Sequence, residues 1–88
     1  MKKSVREKLA EMTAIPDEIL LDTFRMVMTG ERDITVENFK GILEYSPNLI
    51  RLRVTGGRMA VEGAELEIKT VTDDEIQIGG RIRSVSLG

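Results

Sequence analysis

The chain contains no cysteine, no histidine and no tryptophan. Without cysteine there is no disulfide framework, no thiolate nucleophile and no zinc-thiolate site. Without histidine the commonest general base is missing, and with it the Ser-His, Cys-His and His-metal arrangements. Aromatic residues make up 3% of the chain, so stacking platforms for bases or sugars are scarce. No apolar run approaches the roughly 18 residues that would cross a bilayer. Lys2, Lys3, Arg6 and Lys8 crowd the N-terminus, but no apolar signal-peptide core follows them. Nor is there a basic excess: thirteen Lys and Arg face fifteen Asp and Glu, for a net charge of -2. A generic polyanion binder would carry more positive charge than that.

What is there is ordinary for a small folded domain. The 88 residues are 41% hydrophobic and 32% charged, too apolar for a disordered chain and long enough for one core. The chain is expected to divide into an N-terminal helical segment, 1–15, and a single β domain, 16–88. Within the first, residues 4 to 13 carry helix signals. Ser4 and Glu7 have capping-box spacing, and Val5, Leu9 and Met12 recur at steps of four and three to make one narrow apolar stripe. Pro16 ends that pattern, because the residue before a proline is pushed out of helical geometry.

After Asp22 the period changes to two. Phe24, Met26 and Met28 alternate with Arg25, Val27 and Thr29; Ile50, Leu52 and Val54 alternate with Arg51, Arg53 and Thr55. The same pattern returns around Ile34, Leu66 and Ile76. One face of each segment is therefore expected to be buried and the other wet, the signature of antiparallel sheet. Turn residues at Thr29-Gly30, Ser46-Pro47-Asn48, Gly56-Gly57, Glu62-Gly63, Asp73-Asp74 and Gly79-Gly80 divide the region into about eight short strands. These are placed near 23–28, 33–37, 41–45, 49–54, 58–61, 65–71, 75–79 and 81–87. A weak repeat of strand, glycine turn, Arg and strand occurs around Gly30, Gly56 and Gly79, giving three hairpin-like units. The expected architecture is mainly β: a short N-terminal helix, then a compact antiparallel meander curled into a roll or barrel, with a short solenoid as the alternative.

No catalytic constellation emerges, no cofactor or metal site is expected, and the chain reads as a non-enzyme. Asp73, Asp74 and Glu75 lack the further oxygen ligands that a metal would need and read as a hairpin tip. Gly56-Gly57-Arg58 and Gly79-Gly80-Arg81 lack a Walker lysine, so their glycines read as suppliers of the positive dihedral of a tight turn. Arg51, Arg53, Arg58, Arg81 and Arg83 could gather on a sheet face and contact RNA. Neighbouring Glu62, Glu65, Glu67 and Glu75 would instead make that face a cross-strand charge ladder. Ser84 and Ser86 have no activating base. The last strand, Ile82 to Leu87, is expected at a sheet edge, where unpaired backbone groups are a template for another chain. Candidate interaction residues are Val85 and Leu87 there, and Val5, Leu9 and Met12 on the helix stripe.

The run Ile34-Thr-Val-Glu-Asn38-Phe-Lys-Gly41-Ile-Leu-Glu-Tyr45-Ser46 is more distinctive. It resembles the YabP/YqfC family of sporulation proteins. Leu-Arg-Val, Gly-Arg-Met-Ala-Val-Glu-Gly and Glu-Ile-Gln-Ile-Gly-Gly-Arg-Ile after it fit the same pattern. The resemblance covers about residues 15 to 87, and the chain's length and N-terminal extension look most like the YqfC branch. The motif residues Ile34, Val36, Glu37, Asn38, Gly41 and Tyr45 also have structural readings. Ile34 and Val36 would face the core, Asn38 and Gly41 would handle a turn, and Tyr45 would bury its ring with the hydroxyl at the rim. The resemblance implies a small sporulation protein of the mother cell, without enzymatic activity, acting through protein–protein contacts in spore envelope formation. The exposed strand edge points to self-association, and the resemblance to another sporulation protein as partner, including a membrane-bound one. With no spanning or signal segment in the sequence, the expected location is cytoplasmic, with peripheral recruitment to the forespore membrane as the variant. The alternative from the residues alone is a small RNA-binding β-barrel using the arginine face.

Overall fold

The computed structural model describes residues 22–88. All six elements in this region are strands: β1 (Arg25–Thr29), β2 (Asp33–Glu37), β3 (Gly41–Tyr45), β4 (Leu49–Val54), β5 (Gly57–Val71) and β6 (Glu75–Leu87). The expected helix over 4 to 13 lies outside the described residues. The strands form one open antiparallel sheet in the order β1-β2-β6-β5-β4-β3. The mainly β, antiparallel expectation therefore holds. A simple meander does not, because β2 pairs with β6 rather than with β3. Neither does a closed barrel, since β1 and β3 are left as edges. A stacked solenoid is also absent from the described residues, where every ladder is antiparallel.

The two-residue period explains each short strand. In β2, Ile34 and Val36 are fully buried, while Asp33, Thr35 and Glu37 point the other way. In β4, Ile50, Leu52 and Val54 are buried, and Arg51 and Arg53 are exposed. Facing positions across the ladders share a side of the sheet, so Ile34 meets Ile78 and Ile50 meets Val61. The buried residues from all parts of the sheet join in a single core, which includes Phe39, Met59, Leu66, Ile76 and Ile82.

Six strands replace the expected eight because two pairs are continuous. Residues 58–61 and 65–71 belong to β5, and 75–79 and 81–87 belong to β6. The glycines between them mark bends in a long hairpin. The β5–β6 register shifts between Glu62 and Gly63 and again between Ala64 and Glu67. Such bulges bend a strand without ending it. A Cβ on Gly63 would stand 1.9 Å from the Arg81 carbonyl oxygen. Gly80 has φ +128°, and a Cβ there would stand 2.5 Å from the Glu65 carbonyl oxygen. The bend thus requires close approach of two backbones, which only glycine permits. Gly30 and Gly56, by contrast, sit at true hairpin turns with φ of 59° and 92°.

The bend redirects β6. Its first half, 75–79, lies between β2 and β5, whereas the described ladders pair residues 81–87 with β5 alone. The turn between β1 and β2 braces the junction: the Gly80 and Ile82 amides donate to the Arg32 and Glu31 carbonyls at 3.1 and 2.7 Å. The β3–β4 turn braces the matching point of β5, where Gly63 and Leu66 donate to Asn48 and Pro47 at 3.1 and 2.8 Å. Thr72, Asp73, Asp74 and Glu75 form the β5–β6 turn, tied by the Thr72 amide on the Glu75 carbonyl at 2.8 Å.

Candidate interaction surfaces

The core face does not stop at the core. On β1, Met26 and Met28 oppose Val36 and Ile34, so they lie on the buried side of the sheet. They remain 40% and 41% exposed, because β1 is the last strand and nothing among the described residues covers its margin. Val27, on the other side, is equally open at 42%. The opposite edge repeats this. Ile42 and Tyr45 of β3 oppose Leu52 and Ile50, yet they are 43% and 54% exposed.

The two edges differ in protection. A register shift between Ile42 and Glu44 interrupts β3, and a bulge of this kind discourages pairing with a further strand. In β1 the register is regular over all five residues, and Met26 through Thr29 carries neither charge nor proline. Its single charge, Arg25, is held by Glu37 at 3.0 Å. Of these two, β1 is the less guarded; the last part of β6, residues 83–87, pairs with β5 alone and so keeps the open margin expected of the final strand.

The sequence-derived residues are placed as follows. Val85 is half-buried against the core, opposite Val61, and Leu87 is largely exposed near the chain end. Val5, Leu9 and Met12 lie outside the described residues. Ile34 and Val36 face the core as expected. Glu37 receives Arg25, and Asn38 takes a left-handed turn conformation, φ 66°, with its side-chain amide donating to the Thr23 carbonyl at 3.3 Å. Gly41 is not in the left-handed region; it makes room for the Arg53 guanidinium, whose Nη2 would lie 3.2 Å from a Cβ placed there. The Tyr45 ring is exposed rather than buried, because β3 is an edge, while its hydroxyl accepts from the Ile68 amide at 3.4 Å.

The expected charge ladder forms only in part. Glu62 pairs with Arg83 at 3.6 Å, and Glu44 with Arg51 at 3.7 Å. Arg53 faces another arginine, Arg58, directly across the β4–β5 ladder. Arg51, Arg53 and Arg58 therefore share one exposed face; Arg83, on the same half of the bent hairpin, is taken by Glu62, and Arg81 pairs with Ala64 beside the bend. Sequence reasoning singled out these arginines and missed Met26, Met28 and Ile42. The available signal was that apolar alternation at 24–28 and 41–45 is as strong as in the core strands, while only a known strand order says which strands are edges.

Elsewhere the described residues offer little chemistry. They include no group of three or more acidic residues placed to hold a metal ion, and no helix long and apolar enough to cross a membrane. They also contain no buried polar side chain left without a hydrogen-bond partner.

Comparison with known proteins identifies the fold's lineage. A family model described as the YabP family matches residues 21–88. The chain is also 31% identical over 81 residues to a Bacillus subtilis (strain 168) protein named "Uncharacterized protein YqfC", an alignment spanning 92% of this chain and 87% of that one. A match across the whole described sheet, joined to that identity over nearly both full lengths, makes this chain a member of the YabP family.

Proposed function

We propose that the chain is a non-enzymatic sporulation protein that works by binding other proteins through the open edges of its sheet. The observation that carries this is β1. Met26, Val27 and Met28 expose apolar side chains on both faces of a regular, unbulged edge strand, where soluble proteins normally place charge, proline or a bulge. A strand added to β1 would satisfy its outer backbone groups and cover Met26 and Met28 together. The sporulation context rests on the resemblance to the YabP/YqfC family, which also supports a mother-cell location and a role in forming the spore envelope. The partner on this reading is another sporulation protein or a second copy of the chain.

The test is photo-cross-linking from single positions in sporulating cells. A cross-linker at Val27 should give a discrete protein adduct. One at Thr35, on a paired interior strand, should not. Equal yields from both positions, or none from Val27 in cells that accumulate the protein, would remove the β1 reading.

The RNA alternative keeps one supporting observation, the shared face of Arg51, Arg53 and Arg58. Three cations on a chain of net charge -2 are few for tracking a nucleic-acid backbone. RNA binding would weaken steeply with added salt, and a flat response excludes it.

A further inference from the structure

Arg53 and Arg58 are direct cross-strand partners, so their Cβ atoms stand about 5 Å apart on the exposed side of the sheet. Like charges in that position destabilise a sheet. Among the described residues neither guanidinium has a carboxylate within 4.0 Å, although the same sheet pairs Arg25, Arg51 and Arg83 with glutamates. Glu44 occupies Arg51, which leaves two uncompensated positive charges side by side. Space is available around them. Leu43, Glu44, Gly57 and the three arginines line a cleft of about 360 Å³, in which the one carboxylate, Glu44, is taken by Arg51; Ala60, Ser86 and Gly88 border a second of about 240 Å³ on the far side of Arg51 and Arg58. Gly57, Ala60, Ser86 and Gly88 leave room beside Arg58, and Gly41 leaves room for the Arg53 head group to lie over β3.

We propose that Arg53 and Arg58 form a binding site for a phosphate monoester. Two adjacent guanidiniums call for two negative charges on one group, and each presents a planar fork that matches phosphate oxygens. A phosphate monoester near neutral pH carries about -1.5 to -2 and supplies three strong acceptor oxygens. A carboxylate or a phosphodiester brings a single charge and would leave one arginine uncompensated. The monoester could belong to a soluble molecule or to a lipid headgroup, and the chemistry at the arginines is the same. This site is separate from β1 and stands whether or not β1 binds protein.

The experiment uses the full chain and follows backbone amide resonances during titration with inorganic phosphate at constant ionic strength. Saturable shifts should concentrate at residues 51–58 and 86–88. Arg53→Gln and Arg58→Gln should each weaken binding at least tenfold, whereas Arg32→Gln, an exposed control in the β1–β2 turn, should not. Arg58→Gln should also melt higher than the parent chain in phosphate-free buffer, because it removes the like-charge pair. That gain separates loss of the site from loss of the fold. Vesicles of phosphatidic acid and of phosphatidylglycerol form the second arm. Arginine-dependent flotation with phosphatidic acid alone assigns the headgroup as the source, and phosphate binding without flotation assigns a soluble one. No binding of either probe, binding unchanged in both variants, or Arg53- and Arg58-dependent binding of an RNA oligonucleotide without either monoester would overturn the proposal.

Discussion

Asp22 shows how a single side chain ties the start of the described chain to the sheet. Its carboxylate takes the Lys40 ammonium at 3.0 Å and the Thr55 hydroxyl at 3.1 Å. These two hydrogen bonds, with the Lys40 charge, hold the carboxyl below its ordinary value of 3.8. A carboxyl whose pKa is lowered by folding stabilises the fold above its unfolded pKa and loses that contribution as pH falls through the folded value. Asp22→Asn should therefore be less stable than the parent by a constant amount at neutral pH, and the gap should close below about pH 4. Urea melts of both proteins between pH 2.5 and 7 measure this directly; a gap independent of pH would show that the ion pair contributes nothing. At this scale the sequence was partly legible. Ile34 and Val36 were placed by alternation alone. Tyr45 was not, because whether its ring is covered depends on the strand next to β3, and no strand is there. Nor does the sequence single out Asp22, because its partners lie 18 and 33 residues along the chain.

Strands were legible where alternation was uninterrupted and illegible where it was broken. β2 and β4 match their expected spans, because each has a clean buried and exposed side. β5 and β6 each read as two strands in the sequence, since a bulge adds a residue and flips the phase, which looks like a strand ending. Glycines strengthened that impression. Gly56 does make a turn, but Gly79 and Gly80 lie inside β6, where Gly80 lets two backbones touch. The two kinds of glycine should respond differently to alanine. Gly63→Ala and Gly80→Ala force backbone apart and should cost about 3 kcal/mol or prevent folding. Gly30→Ala has a positive φ but open space around it, and should cost about 1 kcal/mol. Thermal melts of the three variants check the order, and similar losses would mean that the bend tolerates a side chain.

The described residues share one core drawn from a bent sheet, with apolar margins running past it at β1 and β3. The core should behave as one cooperative unit. Ile50→Ala and Ile78→Ala, both fully buried, should each lose about 2–5 kcal/mol in urea unfolding without changing its single transition. Two separate transitions would instead mean that the halves on either side of the bend fold independently. The edge margins should matter little for stability and much for function. The central claim is that β1 binds protein during sporulation. Its most direct test is the count of heat-resistant spores in cells whose sole copy carries Met28→Lys, with protein abundance followed by immunoblot. Normal abundance and at least a tenfold fall in spore yield are expected, with the yield restored in Met28→Leu. Normal spore yield from a Met28→Lys protein that accumulates normally would contradict that claim.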